Sequence, residues 1–156
     1  MTEIHKSCSV FGTSKMVITD ELKKRLRNVF IDLLEKDFRI FYFGGFSEFD
    51  DVCYQIITEL KLEYPDIHRI FCVADPRWQR PSKRPRWLNE ETYEEIIYLD
   101  LDFDWWYTRI YYRNCEMINL SDYVVFYAPE NNSSGAYKAL KHAKLKKKDF
   151  INLAEE

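Results

Sequence analysis

Short apolar runs alternate along this chain with longer stretches whose apolar residues recur at helical spacing. Ser7 to Phe11 reads as a short buried strand. Leu22, Leu26, Val29, Phe30, Leu33 and Leu34 then recur as a helix would space them, behind Thr19 as N-cap and Asp20 and Glu21 as first-turn acids. Phe38 to Phe43 is apolar enough for a strand covered on both faces. Ser47 with Asp50 three residues later has the form of a capping box, Asp standing where Glu is usual, and Phe49, Val52, Cys53, Ile56, Ile57 and Leu60 give the following helix its buried stripe. Arg69 to Ala74 predicts a third strand and Glu95 to Leu101 a fourth. Asp102-Phe103-Asp104-Trp105-Trp106 leads into a helix ending near Leu120. A strand at Tyr123 to Tyr127, a helix at Ala136 to Lys146 and a strand at Phe150 to Leu153 complete the series. Strands and helices in alternation predict a three-layer α/β sandwich with a mainly parallel central sheet.

At 156 residues the chain predicts a single domain, 1–156, with a full core. With a net charge of -3 nothing overall demands nucleic acid or an anionic membrane; no membrane partner is expected and nucleic acid is an unlikely one. The first residues carry no apolar signal region and no apolar run nears membrane-spanning length, so a cytoplasmic protein is expected. Rings make up 17% of residues, more than a small core usually needs, which predicts that some line a ligand site or the interface of a homo-oligomer. Cys8, Cys53, Cys72 and Cys115 form no C-x-x-C pair and read as reduced core thiols; neither metal nor cofactor is expected. His5, His68 and His142 share no constellation, and no nucleophile–base arrangement is legible.

All four glycines fall where a strand-like run gives way to a helix: Gly12, the pair Gly44-Gly45, and Gly135. Such bends let a ligand approach main-chain amides at a helix start, a geometry suited to phosphate. In a parallel sheet the loops after successive strands share one rim, where ligands bind at the point of reversed winding. That rim would carry Gly12-Thr13-Ser14-Lys15, Gly44-Gly45-Phe46-Ser47-Glu48, the stretch Asn132-Ser133-Ser134-Gly135, and one irregular tract. The tract, Asp75 to Asn89, holds Pro76, Pro81 and Pro85, Trp78 and Trp87, and Arg77, Arg80, Lys83, Arg84 and Arg86. It reads as a lid over a polyanionic small molecule, an oligomer contact or a nucleic-acid footprint. Asp100, Asp102 and Asp104 read as a solvated strand end, with a sugar- or metal-binding edge as the alternative.

Ser9-Val10-Phe11-Gly12, Phe43-Gly44-Gly45-Phe46 with Asp50, Arg113-Asn114 with Met117 and Ser121-Asp122, and Ser134-Gly135-Ala136 with Ala139 and Ala143 together resemble the SLOG superfamily. This Rossmann-like group contains the LOG-type nucleotide phosphoribohydrolases and many nucleotide-sensing domains. The resemblance spans roughly Ser7 to Leu153. It implies a ligand role for Arg113 and Asn114, the guanidinium fork of Arg113 holding phosphate. LOG-type enzymes carry P-G-G-x-G-T-x-x-E, whose glutamate serves glycosidic cleavage. Here the stretch is Pro129-Glu130-Asn131-Asn132-Ser133-Ser134-Gly135-Ala136, with Lys138 and Ala139 near the place of that acid.

The expectation is therefore a Rossmann-like sandwich that binds a nucleotide-derived small molecule, such as an ADP-ribose-like or other adenine nucleotide signal. The ligand would be sensed or sequestered, as in a signalling or anti-defence protein. The ligand-binding set comprises Gly12, Thr13, Ser14, Lys15, Gly44, Gly45, Phe46, Ser47, Glu48, Arg113, Asn114, Ser133, Ser134 and Gly135, with Phe46, Tyr107 or Tyr111 stacking the base. The alternative is a LOG-type phosphoribohydrolase or N-glycosidase in which Glu48 or Asp50 replaces the missing acid. A pure interaction module built on the aromatics is a third reading.

Overall fold

The computed structural model describes residues 5–45, 47–99 and 105–155, apart from the side chains of Trp106 and Tyr107. The elements run β1 (Lys6–Gly12), α1 (Asp20–Glu35), β2 (Phe38–Phe43), α2 (Glu48–Leu60), β3 (His68–Val73), β4 (Glu95–Tyr98), α3 (Trp106–Leu120), β5 (Tyr123–Tyr127), α4 (Gly135–Leu145) and β6 (Asp149–Asn152). The strands form one sheet in the order β4-β3-β2-β1-β5-β6, and every neighbouring pair is parallel. The expected α/β Rossmann-like architecture is what is found. β1 lies at the centre, and the winding reverses between it and β5.

Alternation along β1 divides the core. Cys8 and Val10 point to the α1 and α2 layer, where Leu26, Phe30, Phe41, Phe43, Phe49 and Ile57 are buried. Phe11 joins Tyr42, Cys72, Met117, Phe126 and Ala139 beneath α3 and α4. Both faces of the central strands are covered, which is why they read as continuous apolar runs rather than alternating ones. The small residues Ala136, Ala139 and Ala143 are buried along α4 and let its backbone lie close to the sheet. All four cysteines are buried free thiols.

The starts of α1 and α2 are formed by their caps. Thr19 accepts from the Leu22 amide at 3.1 Å to open α1. At α2 the Ser47 hydroxyl accepts from the Asp50 amide at 3.2 Å, while the Asp50 carboxylate accepts from the Ser47 amide at 3.3 Å. This reciprocal box satisfies two donors that a helix start otherwise leaves unpaired.

The irregular tract is ordered by its own side chains. The Asp75 carboxylate accepts from the Arg77 amide at 2.9 Å and pairs with its guanidinium at 2.7 Å, so the short 3-10 turn Pro76–Gln79 starts from a cap, and a second such turn, Pro81–Lys83, follows it. Trp78 and Trp87 pack edge to face, with centroids 5.9 Å apart, and both rest on Phe71. The tract thus covers the end of β3 and extends the α2 layer of the core, where Leu88 and Tyr93 are buried. Arg69 fixes its far end by donating to both carboxylate oxygens of Glu94, at 2.9 and 2.6 Å. The strand predicted to reach Leu101 ends at Tyr98, with Leu99 already outside it, and the calls on Asp100, Asp102 and Asp104 lie outside the described residues.

Candidate functional site at the carboxyl rim of the sheet

The carboxyl ends of β5, β1 and β2 open into a cavity of about 600 Å³. Gly12, Thr13, Ser14 and Lys15 enter it from the turn after β1, and Gly45, Ser47 and Asp50 from the turn into α2. Ser133, Ser134 and Gly135 close it at the start of α4, and Arg113 and Asn114 face it from α3. Twelve widely separated positions are thereby brought together. Gly44 is not among the lining residues, Glu48 is exposed at the start of α2, and Phe46 and the Tyr107 side chain lie outside the described residues. Tyr111 instead borders a shallow groove with Lys138 and Lys141 on the α3–α4 surface.

Three of the four glycines have a packing reason as well. A Cβ on Gly12 would fall on the Phe49 side chain, and one on Gly45 on the Asp50 carboxylate. At Gly44 it would sit 3.0 Å from the Met117 sulfur and 3.1 Å from Arg113 Nε. Gly135 has open space around its Cβ position, and none of the four has a positive φ. Gly135 is thus the one bend bare on its open side. It follows Ser134, whose hydroxyl accepts from the Tyr137 amide at 3.4 Å. Ser133 is tied back by Asn131, whose carbonyl oxygen accepts from its amide at 3.0 Å and its hydroxyl at 2.7 Å.

Two ionisable groups define the electrostatics of the cavity. Arg113 is 3% exposed and hydrogen-bonds the Asn114 carbonyl oxygen at 3.2 and 3.0 Å. No ion pair involves it among the described residues. Burial pushes its guanidinium down to about 10, against the pull of Cys72 and Asp50, so it stays cationic at neutral pH. Asp50 is equally buried. Burial lifts its carboxyl to about 6 even though the Ser47 bonds and Arg113 favour the anion. One of its oxygens serves the capping box, and Oδ1 has no partner among the described residues. The result is a desolvated cation and a half-satisfied acid on the same wall. Arg113, Lys15 and the first amides of α4 are groups of the kind that can hold an anion, while an ionised Asp50 opposes one.

A second cavity of about 390 Å³ adjoins the first, sharing Gly45 and Asp50 with it, and lies over β2 and β3. Its walls are Phe43, Tyr54, Phe71, Trp87 and Tyr93. The sequence reading missed this set. Its members are spread over two strands, a helix, the irregular tract and the segment between that tract and β4, and the only forewarning was the surplus of rings. Pro129, Glu130 and Asn131, which in the sequence stand where LOG-type enzymes carry their catalytic motif, also line the first cavity.

No model of a known protein family matches this sequence, and no curated protein is similar to it. Solved structures are similar in fold. DNA processing protein A from Streptococcus pneumoniae superposes with a TM-score of 0.60 at 13% identity, over 94% of this chain and 49% of that one. DNA processing protein A from Helicobacter pylori, described for its single-stranded DNA binding mode, gives 0.62 at 17% identity, over 93% of this chain and 63% of that one. This chain spans between half and two thirds of the length of those proteins. At these identities the likeness establishes the fold alone, a Rossmann-like one. It also corrects two expectations. A nucleotide-derived small molecule as the ligand, and nucleic acid as an unlikely partner, are overturned because the neighbours are DNA-processing proteins, one of them a binder of single-stranded DNA. The physical reason is that net charge averages over the whole surface, whereas binding depends on the cations at one rim.

Proposed function

We propose that this chain is a single-stranded nucleic-acid-binding domain of the SLOG type, which takes the sugar–phosphate backbone into the cavity at the ends of β5, β1 and β2. The observation that carries the reading is that the buried Arg113, with no ion pair among the described residues, lines one cavity with Lys15 and the open start of α4. A guanidinium so placed has already lost its water, and a phosphate restores its missing partners. The fold neighbours supply the choice of polymer over free nucleotide. Arg77, Arg80 and Lys83 project around a further surface hollow where the tract leaves β3, so phosphates beyond the cavity meet cations along the same rim. A cytoplasmic setting suits this role.

The test is titration of a fluorescent 20-nucleotide oligothymidylate across a series of salt concentrations. Affinity should fall linearly on logarithmic axes with a slope of roughly -0.7 per phosphate neutralised, and Lys15→Ala should flatten it by about that amount. Arg113→Gln should weaken binding by about 1.5–3 kcal/mol, the scale of a charged hydrogen bond. Absence of binding at low salt, or full affinity in both variants, refutes the reading.

A further inference from the structure

We infer that the aromatic cavity walled by Phe43, Tyr54, Phe71, Trp87 and Tyr93 receives one unstacked base of the bound strand, its ring among these side chains and its edge toward Asp50. The inference rests on the single-strand reading and extends it from backbone to base. Three observations point this way.

The first is continuity. The polar cavity lies over β5 and β1 and the aromatic one over β2 and β3, and Gly45 and Asp50 belong to both. A strand whose phosphates occupy the first therefore reaches the second within a nucleotide, because a base hangs directly from its own backbone. The second is chemistry. Tyr54 and Tyr93 lie 5.0 Å apart, Phe71 and Tyr93 5.3 Å, and Phe71 and Trp87 5.5 Å. Rings packed this closely normally fill their own space, as protein interiors do; here they border about 390 Å³, within the range of ligand pockets, roughly 300–1,000 Å³. Aromatic walls stack any base, whatever its identity.

The third is an unmet acceptor. Asp50 Oδ1 is buried with no hydrogen-bond partner among the described residues, on the wall common to both cavities. A buried acceptor left unpaired is costly, and every nucleobase presents an N–H donor on its edge. Asp51 and the Thr92 segment line the same cavity and add acceptors at its mouth. Trp87 is the wall residue best suited to mutation, because it is 44% exposed while Phe43 and Phe71 are core.

The experiment compares binding of a dC20 strand with that of a fully abasic strand of equal length, at pH 7.5 and fixed salt, for wild type, Trp87→Ala and Trp87→Phe. Wild type should bind dC20 about 5- to 150-fold more tightly than the abasic strand, equivalent to the roughly 1–3 kcal/mol of one stacked base. Trp87→Ala should lose most of that ratio while leaving abasic binding unchanged, and Trp87→Phe should restore most of it. Equal binding of the two strands by wild type overturns the base pocket and leaves the backbone reading standing. A base-dependent ratio that survives in Trp87→Ala also overturns it, by placing the base elsewhere. Binding of neither strand overturns this inference together with the reading beneath it. Should Trp87→Ala melt before binding can be measured, 2-aminopurine within the strand decides with wild type and Trp87→Phe. Quenching on binding to both supports the pocket, and unquenched emission in the bound complex refutes it.

Discussion

Asp50 offers the sharpest test of the electrostatics at this rim, and Asp50→Asn is the perturbation. Burial raises its carboxyl from 3.8 to about 6. The folded chain therefore holds this proton more tightly than the unfolded chain does. A gap of about two pKa units costs the folded state about 3 kcal/mol when the group is fully ionised, at 1.36 kcal/mol per unit. The sign follows from linkage. The penalty is present above pH 6, is relieved as pH falls through 6, and is gone below about 4. Between pH 7.5 and pH 5 the relief amounts to about 1.4 kcal/mol, or about 3–6 °C in Tm for a chain of this size. Asn keeps a carbonyl oxygen for the Ser47 amide and hydroxyl, which are the bonds Asp50 Oδ2 accepts now, and it cannot titrate. Urea unfolding followed by circular dichroism at both pH values reads the stability of each protein. Relative to Asp50→Asn, wild type should gain about 1.4 kcal/mol on going from pH 7.5 to pH 5. A difference that changes by less than about 0.3 kcal/mol, or widens in the other direction, refutes the argument that Asp50 is a desolvated acid.

Gly135→Ala separates the roles of the glycines. Its Cβ meets nothing within 4 Å, so stability should rise by about 0.4–1 kcal/mol, while affinity for the labelled oligothymidylate should fall if phosphate approaches the start of α4; a variant that binds as wild type does removes that contact from the site. Glu94→Gln should destabilise by about 2 kcal/mol in urea, since it leaves Arg69, 6% exposed, without its counter-charge; an unchanged midpoint would show that the tract is held without this pair.

Local chemistry made much of the fold legible from the chain. The Ser47–Asp50 box, the Thr19 cap and the Phe38–Phe43 and Tyr123–Tyr127 strands are where the residues place them, because caps and apolar runs act over a few neighbouring positions. The convergence of the Gly12, Gly45 and Gly135 segments was legible too, since parallel strands must discharge their following loops at one edge. Other properties depended on contacts far apart in sequence. Gly12 answers to Phe49 and Gly44 to Met117 and Arg113, so those glycines carry packing constraints that no local pattern announces. Trp78 and Trp87 pack against Phe71 of the core, although the tract that bears them reads as a basic loop. The chain alone determined the order of elements and the rim on which they end. Tertiary structure decided which side chains lose their water there, because burial of Arg113 and Asp50, and the gathering of five rings beside them, exist only once distant segments are packed against one another.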